Sequence, residues 1–213
     1  MRIGILGAGQ LGRMLALEGY RLGHEFSLYD PAGKASAGVG RIYNDPDGSQ
    51  LEDFLQSVDR ITYEFEHLPM DLVERIAHNW PVDPPPRALG ICQNRRREKS
   101  LFRDLGIPTA DFHTATSAQE LKDGASSLDG WVVAKSVTDG YDGKGQAVLS
   151  GPDEAAQAWS AIGHTELVVE QFVNFRRELS IVAARGSDGE MAFYPLVQNI
   201  HHDGILRFSV APA

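Results

Sequence analysis

Glycines spaced as Gly7-Ala8-Gly9-Gln10-Leu11-Gly12 follow a short apolar run and precede a helical one. That context lets backbone amides and a helix N-terminus approach an anion. A dinucleotide site would add an acidic residue about 20 positions on to hold a ribose hydroxyl, and Asp30 stands near that place. The same glycines also serve a plain tight turn with close helix packing. The motif therefore leaves a dinucleotide-dependent oxidoreductase and a purely structural turn both open.

A second stretch carries more chemistry. Lys135 precedes Gly140-Tyr141-Asp142-Gly143-Lys144-Gly145-Gln146, a glycine-rich loop between two strand-like segments with a lysine on each side. Glycines let the main chain fold over phosphates, and a lysine supplies a point charge for them. The spacing is not GxxxxGK[ST], and a strand follows rather than a helix, so the loop reads as a lid and not a P-loop. Beyond it, Glu170-Gln171-Phe172-Val173 ends an apolar strand, and Glu178 begins the next. Main-chain groups of Gln171 and Val173 suit an adenine edge, Phe172 its face, and a carboxylate the ribose hydroxyls.

Glu64 and Glu66 alternate along an expected strand, sharing a face at its carboxyl-terminal end, where open α/β sheets bind ligands. The run Arg95-Arg96-Arg97 reads as a solvated helix face. His201 and His202 precede a turn, a setting in which exposed histidines commonly have no role.

These residues need a frame to hold them. Arg2 to Leu6 reads as a buried strand, Leu11 to Leu22 as a helix stopped by Gly23, and Glu25 to Tyr29 as a second strand. Helices over Ser49 to Ser57 and Met70 to Ile76 flank a strand over Arg60 to Phe65, which makes the first domain α/β. Pro81, Pro84, Pro85 and Pro86 end it. One helix is expected from about Ala88 to Leu105. Ser117 with Glu120 forms a capping box for a helix running towards Leu128. Strands are expected over Trp131 to Lys135, Gln146 to Leu149, Leu167 to Phe172, Leu179 to Arg185, Met191 to Pro195 and Ile205 to Val210, with a helix over Asp153 to Ala161. Turns fall at Gly186-Ser187-Asp188-Gly189 and His202-Asp203-Gly204. The second half is thus antiparallel α+β.

Twenty basic against 29 acidic residues leave a formal charge of -9, which argues against nucleic-acid binding because phosphate backbones need clustered cations. The single cysteine, Cys92, excludes an intrachain disulfide, suits a reducing cytoplasmic setting and is expected as a buried structural thiol. The N-terminus lacks the pattern of a secretion signal, and no apolar run approaches the ~20 residues that cross a bilayer.

Taken in order, GAGQLGRM (Gly7 to Met14), YEFEH (Tyr63 to His67), GYDGKGQ (Gly140 to Gln146), VEQFVNF (Val169 to Phe175) and HHDGI (His201 to Ile205) resemble one family. That family is N5-carboxyaminoimidazole ribonucleotide synthetase, of the ATP-grasp superfamily. The resemblance implies a Rossmann-like pre-ATP-grasp domain over 1–90, a helical linker and small ATP-grasp subdomain with a lid over 91–174, and the start of a second subdomain over 175–213. It implies a cytoplasmic ligase, a homodimer at full length, that uses ATP and bicarbonate to carboxylate aminoimidazole ribonucleotide. It assigns ATP contacts to Arg95, Lys135, Gly140 to Gln146, Glu170 to Val173, Glu178 and His201. Gln10, Leu11 and Glu64 fall near the ribonucleotide, and Tyr141 and Lys144 to catalysis beside it. Magnesium ligands would lie on late strands beyond Ala213, so this chain is expected to be inactive alone, or to act as a noncatalytic nucleotide-binding module. Asp139 stands where the family usually has glycine, adding negative charge near the phosphates.

Overall fold

The apolar stretch Arg2–Leu6 forms β1 at the centre of a four-stranded sheet. It pairs in parallel with β2 (Glu25–Asp30) on one side. A crossover through α1 (Gln10–Tyr20) connects the two. β3 (Arg41–Asn44) extends the sheet beyond β2. α2 (Leu51–Gln56) then leads to β4 (Arg60–Tyr63), which pairs in parallel with the other side of β1. The order β3-β2-β1-β4 is that of a doubly wound sheet. α3 (Met70–Ala77) and α4 (Pro86–Cys92) follow. These elements belong to the first of two units, Met1–Glu98 and Lys99–Ala213. The computed structural model describes residues 1–138, 145–163, 165–202 and 205–213.

Both faces of this sheet are covered. Leu6, Tyr29, Tyr43, Phe54, Ile61 and Ile76 are buried on one side, and Ile5, Ala16, Phe26 and Leu28 on the other. α1 lies against the sheet through Gly12, Ala16 and Gly19, residues small enough for close approach. A methyl at Gly19 would land on the Phe26 ring.

The single helix expected from Ala88 to Leu105 is two, α4 and α5 (Arg95–Asp104). The break follows from side-chain bonding. Gln93 donates its amide to the carbonyls of Glu66 and Leu68, and Asn94 Oδ1 accepts from the Arg97 amide at 3.0 Å, capping α5. Cys92, at the end of α4, is exposed rather than buried.

In the second unit, β5 (Phe112–Ala115), β6 (Val132–Ser136), β7 (Gln146–Leu149) and β8 (Leu167–Gln171) form an antiparallel sheet in the order β5-β8-β6-β7. α6 (Ala118–Ser127) and α7 (Ala155–Ile162) join it in a core that includes Leu121, Val132, Leu149, Trp159 and Leu167. Ser117 caps α6 as expected, accepting from the Glu120 amide at 3.1 Å. The strand expected from Leu179 to Arg185 is two, β9 (Glu178–Ser180) and β10 (Ala183–Arg185), in different sheets. β10 pairs with β11 (Met191–Phe193), whereas β9 pairs with β12 (Val197–His202), itself paired with β13 (Ile205–Val210).

Large apolar side chains on these last strands lie open to solvent, among them Phe193 at 59% and Phe208 at 67% exposure. Clustered exposure of this kind favours association. Light scattering on the 213-residue chain is expected to show a mass that rises with concentration. A monomer throughout would contradict it.

Candidate active site

In the second unit the site is built around a buried carboxylate. Glu170 occupies the last buried position of β8 and is 7% exposed. Its Oε1 meets the ammonium of Lys135 on β6, and its Oε2 meets the ammonium of Lys99 on α5 at 2.7 Å. Strand register explains the first contact, since Val133 lies opposite Glu170 and Lys135 opposite Val168, two residues along the same face. Lys99 is held further by Thr109 Oγ1 at 2.9 Å and lies over the Phe112 ring at 5.3 Å. Burial alone pushes the Glu170 carboxyl up, but the hydrogen bonds and charges of Lys135 and Lys99 outweigh it and hold the group below the ordinary carboxylate range. The stability this gives is present at neutral pH and fades as pH falls through the lowered value.

The three charged groups sum to one surplus positive charge. Lys135 sits one residue from the end of β6, opposite Gln146 at the start of β7. The chain between these strands contains Asp139, Gly140, Tyr141, Asp142, Gly143 and Lys144, which lie outside the described residues. Gly145 closes that connection with φ 73° and accepts from the Ser136 amide at 2.8 Å. That left-handed backbone favours glycine.

At the end of β8 the chain becomes exposed. The Gln171 amide is already committed to the Asp111 carbonyl, and that of Phe172 to the Trp131 carbonyl, both at 2.9 Å. The Val173 amide has no such partner among the described residues. Phe172 and Trp131 stand edge to face, 6.1 Å apart, beside an open depression of about 450 Å³ also lined by Asp129, Gln171 and Asn174. On the separate sheet of β9 and β12, His201 Nδ1 and Glu178 Oε2 share a hydrogen bond of 2.6 Å. His201 therefore has a partner, unlike the idle histidine expected before a turn. Asp203 and Gly204 of that turn lie outside the described residues.

In the first unit, β4 ends at Tyr63, so Glu64 and Glu66 do not share a strand face. Glu64 instead turns over the glycine loop. Its Oε1 accepts from the Gly9 amide at 2.7 Å and its Oε2 from the Gly12 amide. A Cβ at Gly9 would lie 2.8 Å from Oε1, and one at Gly12 2.7 Å from Oε2. The glycines thus make room for a carboxylate of the protein itself, at the helix N-terminus where a pyrophosphate would bind. Asp30 is engaged as well, accepting from the Ala32 and Lys34 amides at 2.9 and 2.8 Å. Both anchors of the dinucleotide reading are filled from within. Gln10 and Leu11 lie exposed at the first turn of α1, and Arg95 begins α5.

Residues 100–213 match the family described as ATP-grasp domain, and residues 1–93 that described as ribonucleotide synthetase preATP-grasp domain. The chain belongs to the ATP-grasp family. An N5-carboxyaminoimidazole ribonucleotide synthase of Pseudomonas aeruginosa is 44% identical to this ATP-grasp chain, over 99% of it and 59% of the relative. The crystal structure of the synthetase from Thermus thermophilus superposes with a TM-score of 0.89 at 43% identity, over 99% of this chain and 58% of that one. That of Aspergillus clavatus, in complex with ADP and 5-aminoimidazole ribonucleotide, gives 0.85 at 27% identity, over 100% and 57%. The chain spans about three-fifths of the length of the relatives it matches.

ATP-grasp membership raises the question of a metal. Among the described residues no group of three or more His, Cys, Asp and Glu side chains is placed to hold one. No helix among them is long and apolar enough to cross a membrane. Lys99 carries no sequence signal of its own, since it follows Glu98 at the end of the run Arg95-Arg96-Arg97.

The Glu64 seat is testable by a double-mutant cycle. Gly12→Ala forces a methyl against the carboxylate and is expected to cost about 1–3 kcal/mol in urea unfolding. Glu64→Ala removes the obstacle, so the two losses together should fall short of their sum. Strict additivity would argue that Glu64 does not occupy the loop.

Proposed function

We propose that this chain carries the nucleotide-holding and ribonucleotide-holding parts of an N5-carboxyaminoimidazole ribonucleotide synthase. The whole enzyme would carboxylate 5-aminoimidazole ribonucleotide using ATP and bicarbonate, releasing ADP and phosphate. The observation that carries the reading is the surplus cation of Lys135 and Lys99 around buried Glu170, at the root of the glycine-rich connection of an ATP-grasp domain. Support comes also from the ADP and 5-aminoimidazole ribonucleotide bound in the Aspergillus clavatus structure.

In this reading a bicarbonate oxygen attacks the γ-phosphorus of ATP, ADP leaves, and the carboxyphosphate formed yields phosphate and carbon dioxide, which the amine of the ribonucleotide captures. Lys135 meets the phosphates. Gly140 to Gln146 belong to the same phosphate site, where exclusion of water protects the acyl phosphate from hydrolysis. Tyr141 and Lys144 act at the reacting groups. Arg95 adds a cation to the nucleotide site. Main-chain groups of Gln171 and Val173 pair with the adenine edge, Phe172 covers its face, and Glu178, steadied by His201, accepts from the ribose hydroxyls. Gln10, Leu11 and Glu64 hold the ribonucleotide. The domain division at residues 90 and 174, a cytoplasmic home and a homodimer of the full-length enzyme belong to the same proposal.

Calorimetry with ATP tests the phosphate contact. The Lys135→Ala substitution is expected to weaken binding about tenfold or more, the scale of a lost charge-assisted contact. Unchanged affinity would remove Lys135 from the phosphate site. The carboxylation itself is tested on a chain extended to the length of its relatives, where phosphate release is expected only with ATP, bicarbonate and 5-aminoimidazole ribonucleotide together. Release that ignores the ribonucleotide would rule out the substrate.

A further inference from the structure

Two lysines compete for one carboxylate at Glu170, and they are not equivalent. The Lys99 side chain is 15% exposed and that of Lys135 31%. Lys99 also donates to Thr109 Oγ1 at 2.9 Å, approaches the Ala110 carbonyl at 3.5 Å and lies over the Phe112 ring. Each of those partners sits on or just before β5, within the same unit. Glu170 is the partner Lys135 has among the described residues.

A cation that must reach a phosphate has to let go of whatever it holds. With Lys135 as its sole counter-ion, Glu170 would be left buried and unpaired each time a nucleotide bound, the costly way to break a buried pair. It would also turn a bare negative charge towards the incoming phosphates. We infer that Lys99 is the fixed counter-ion of Glu170, a positioning residue that frees Lys135 to exchange the carboxylate for the phosphates of ATP. The inference deepens the ATP reading and rests on it. Lys99 touches no phosphate itself. It acts through Glu170, by keeping that carboxylate neutralised on one oxygen while the other gives up its lysine.

The test is ATP calorimetry on the 213-residue chain and four variants, each first shown to be folded by circular dichroism. Lys99→Met is expected to weaken ATP binding about tenfold, because Lys135 becomes pinned to Glu170. Lys99→Met combined with Glu170→Gln removes the pin and is expected to bind ATP within about threefold of Glu170→Gln alone. A purely structural role for Lys99 would give no such recovery. In the Glu170→Gln background, adding Lys99→Met should cost less than about threefold, and Lys135→Ala should weaken binding of the otherwise unmodified chain. Where Lys99→Met alone does not fold, the double variant decides: affinity as low as that of Lys135→Ala overturns the inference. Normal affinity in a folded Lys99→Met overturns it as well, leaving the phosphate role of Lys135 intact. If Lys135→Ala has no effect, or the chain binds no ATP, the ATP reading fails and the inference with it.

Discussion

A carboxylate taken out of water has to be compensated at once, and the arrangement around Glu170 follows from that need. Burying an isolated ion costs several kcal/mol even after relaxation. The compensation here draws on two elements besides β8: Lys135 from β6 and Lys99 from α5. The ion cluster therefore ties α5 to the sheet. It also fixes the end of β6 from which the glycine-rich connection departs. Leu121, Val132 and Leu167 are part of the unit's core, while strand register sets Lys135 one residue from the end of β6.

The first unit satisfies a carboxylate differently. Glu64 is held by the main-chain amides of Gly9 and Gly12, donors that belong to a helix terminus and cannot swing away. Of the two lysines at Glu170 only Lys135 is proposed to exchange, whereas amides at Glu64 are fixed and leave only the outer lone pairs of the carboxylate for a ligand. The contrast suits the two tasks proposed for the units. A fixed acceptor can orient a substrate, and a mobile cation can trade one anion for another.

How far this was legible in the sequence depends on the range of the interaction. β1, α1 and β2 were readable because apolar runs, a glycine turn and a terminating Gly23 are local signals. The Ser117 cap was readable for the same reason. β3, β5 and β12 were missed, being short or polar runs that owe their pairing to neighbouring strands. The break between α4 and α5 depends on Gln93 reaching carbonyls of residues 66 and 68, which no helical periodicity records. Glu170 and Lys135 were found through their strand and loop setting. Their ion pairing and the part of Lys99 were not, because pairing across a sheet requires the register to be known. The glycine loop left two readings open. GxGxxG states that something approaches the backbone closely, without saying whether it comes from solvent or from Glu64.

That last point bears on where the chain can hold phosphate. A helix N-terminus is the usual low-cost anion site, since its amides carry partial positive charge without bringing a counter-ion. The α1 terminus is spent on Glu64, so the nucleotide of the proposed function would be held elsewhere in a chain whose formal charge is -9. Under that background repulsion a single lysine neutralised by its own glutamate would contribute little. Doubling the lysines leaves a net cation, and burying the glutamate between them keeps that cation aimed rather than diffuse. In the proposed reading, removing the Lys99 charge would therefore alter the binding of a phosphate that Lys99 itself does not contact. The cluster has to be understood as one charged unit rather than as two separate ion pairs.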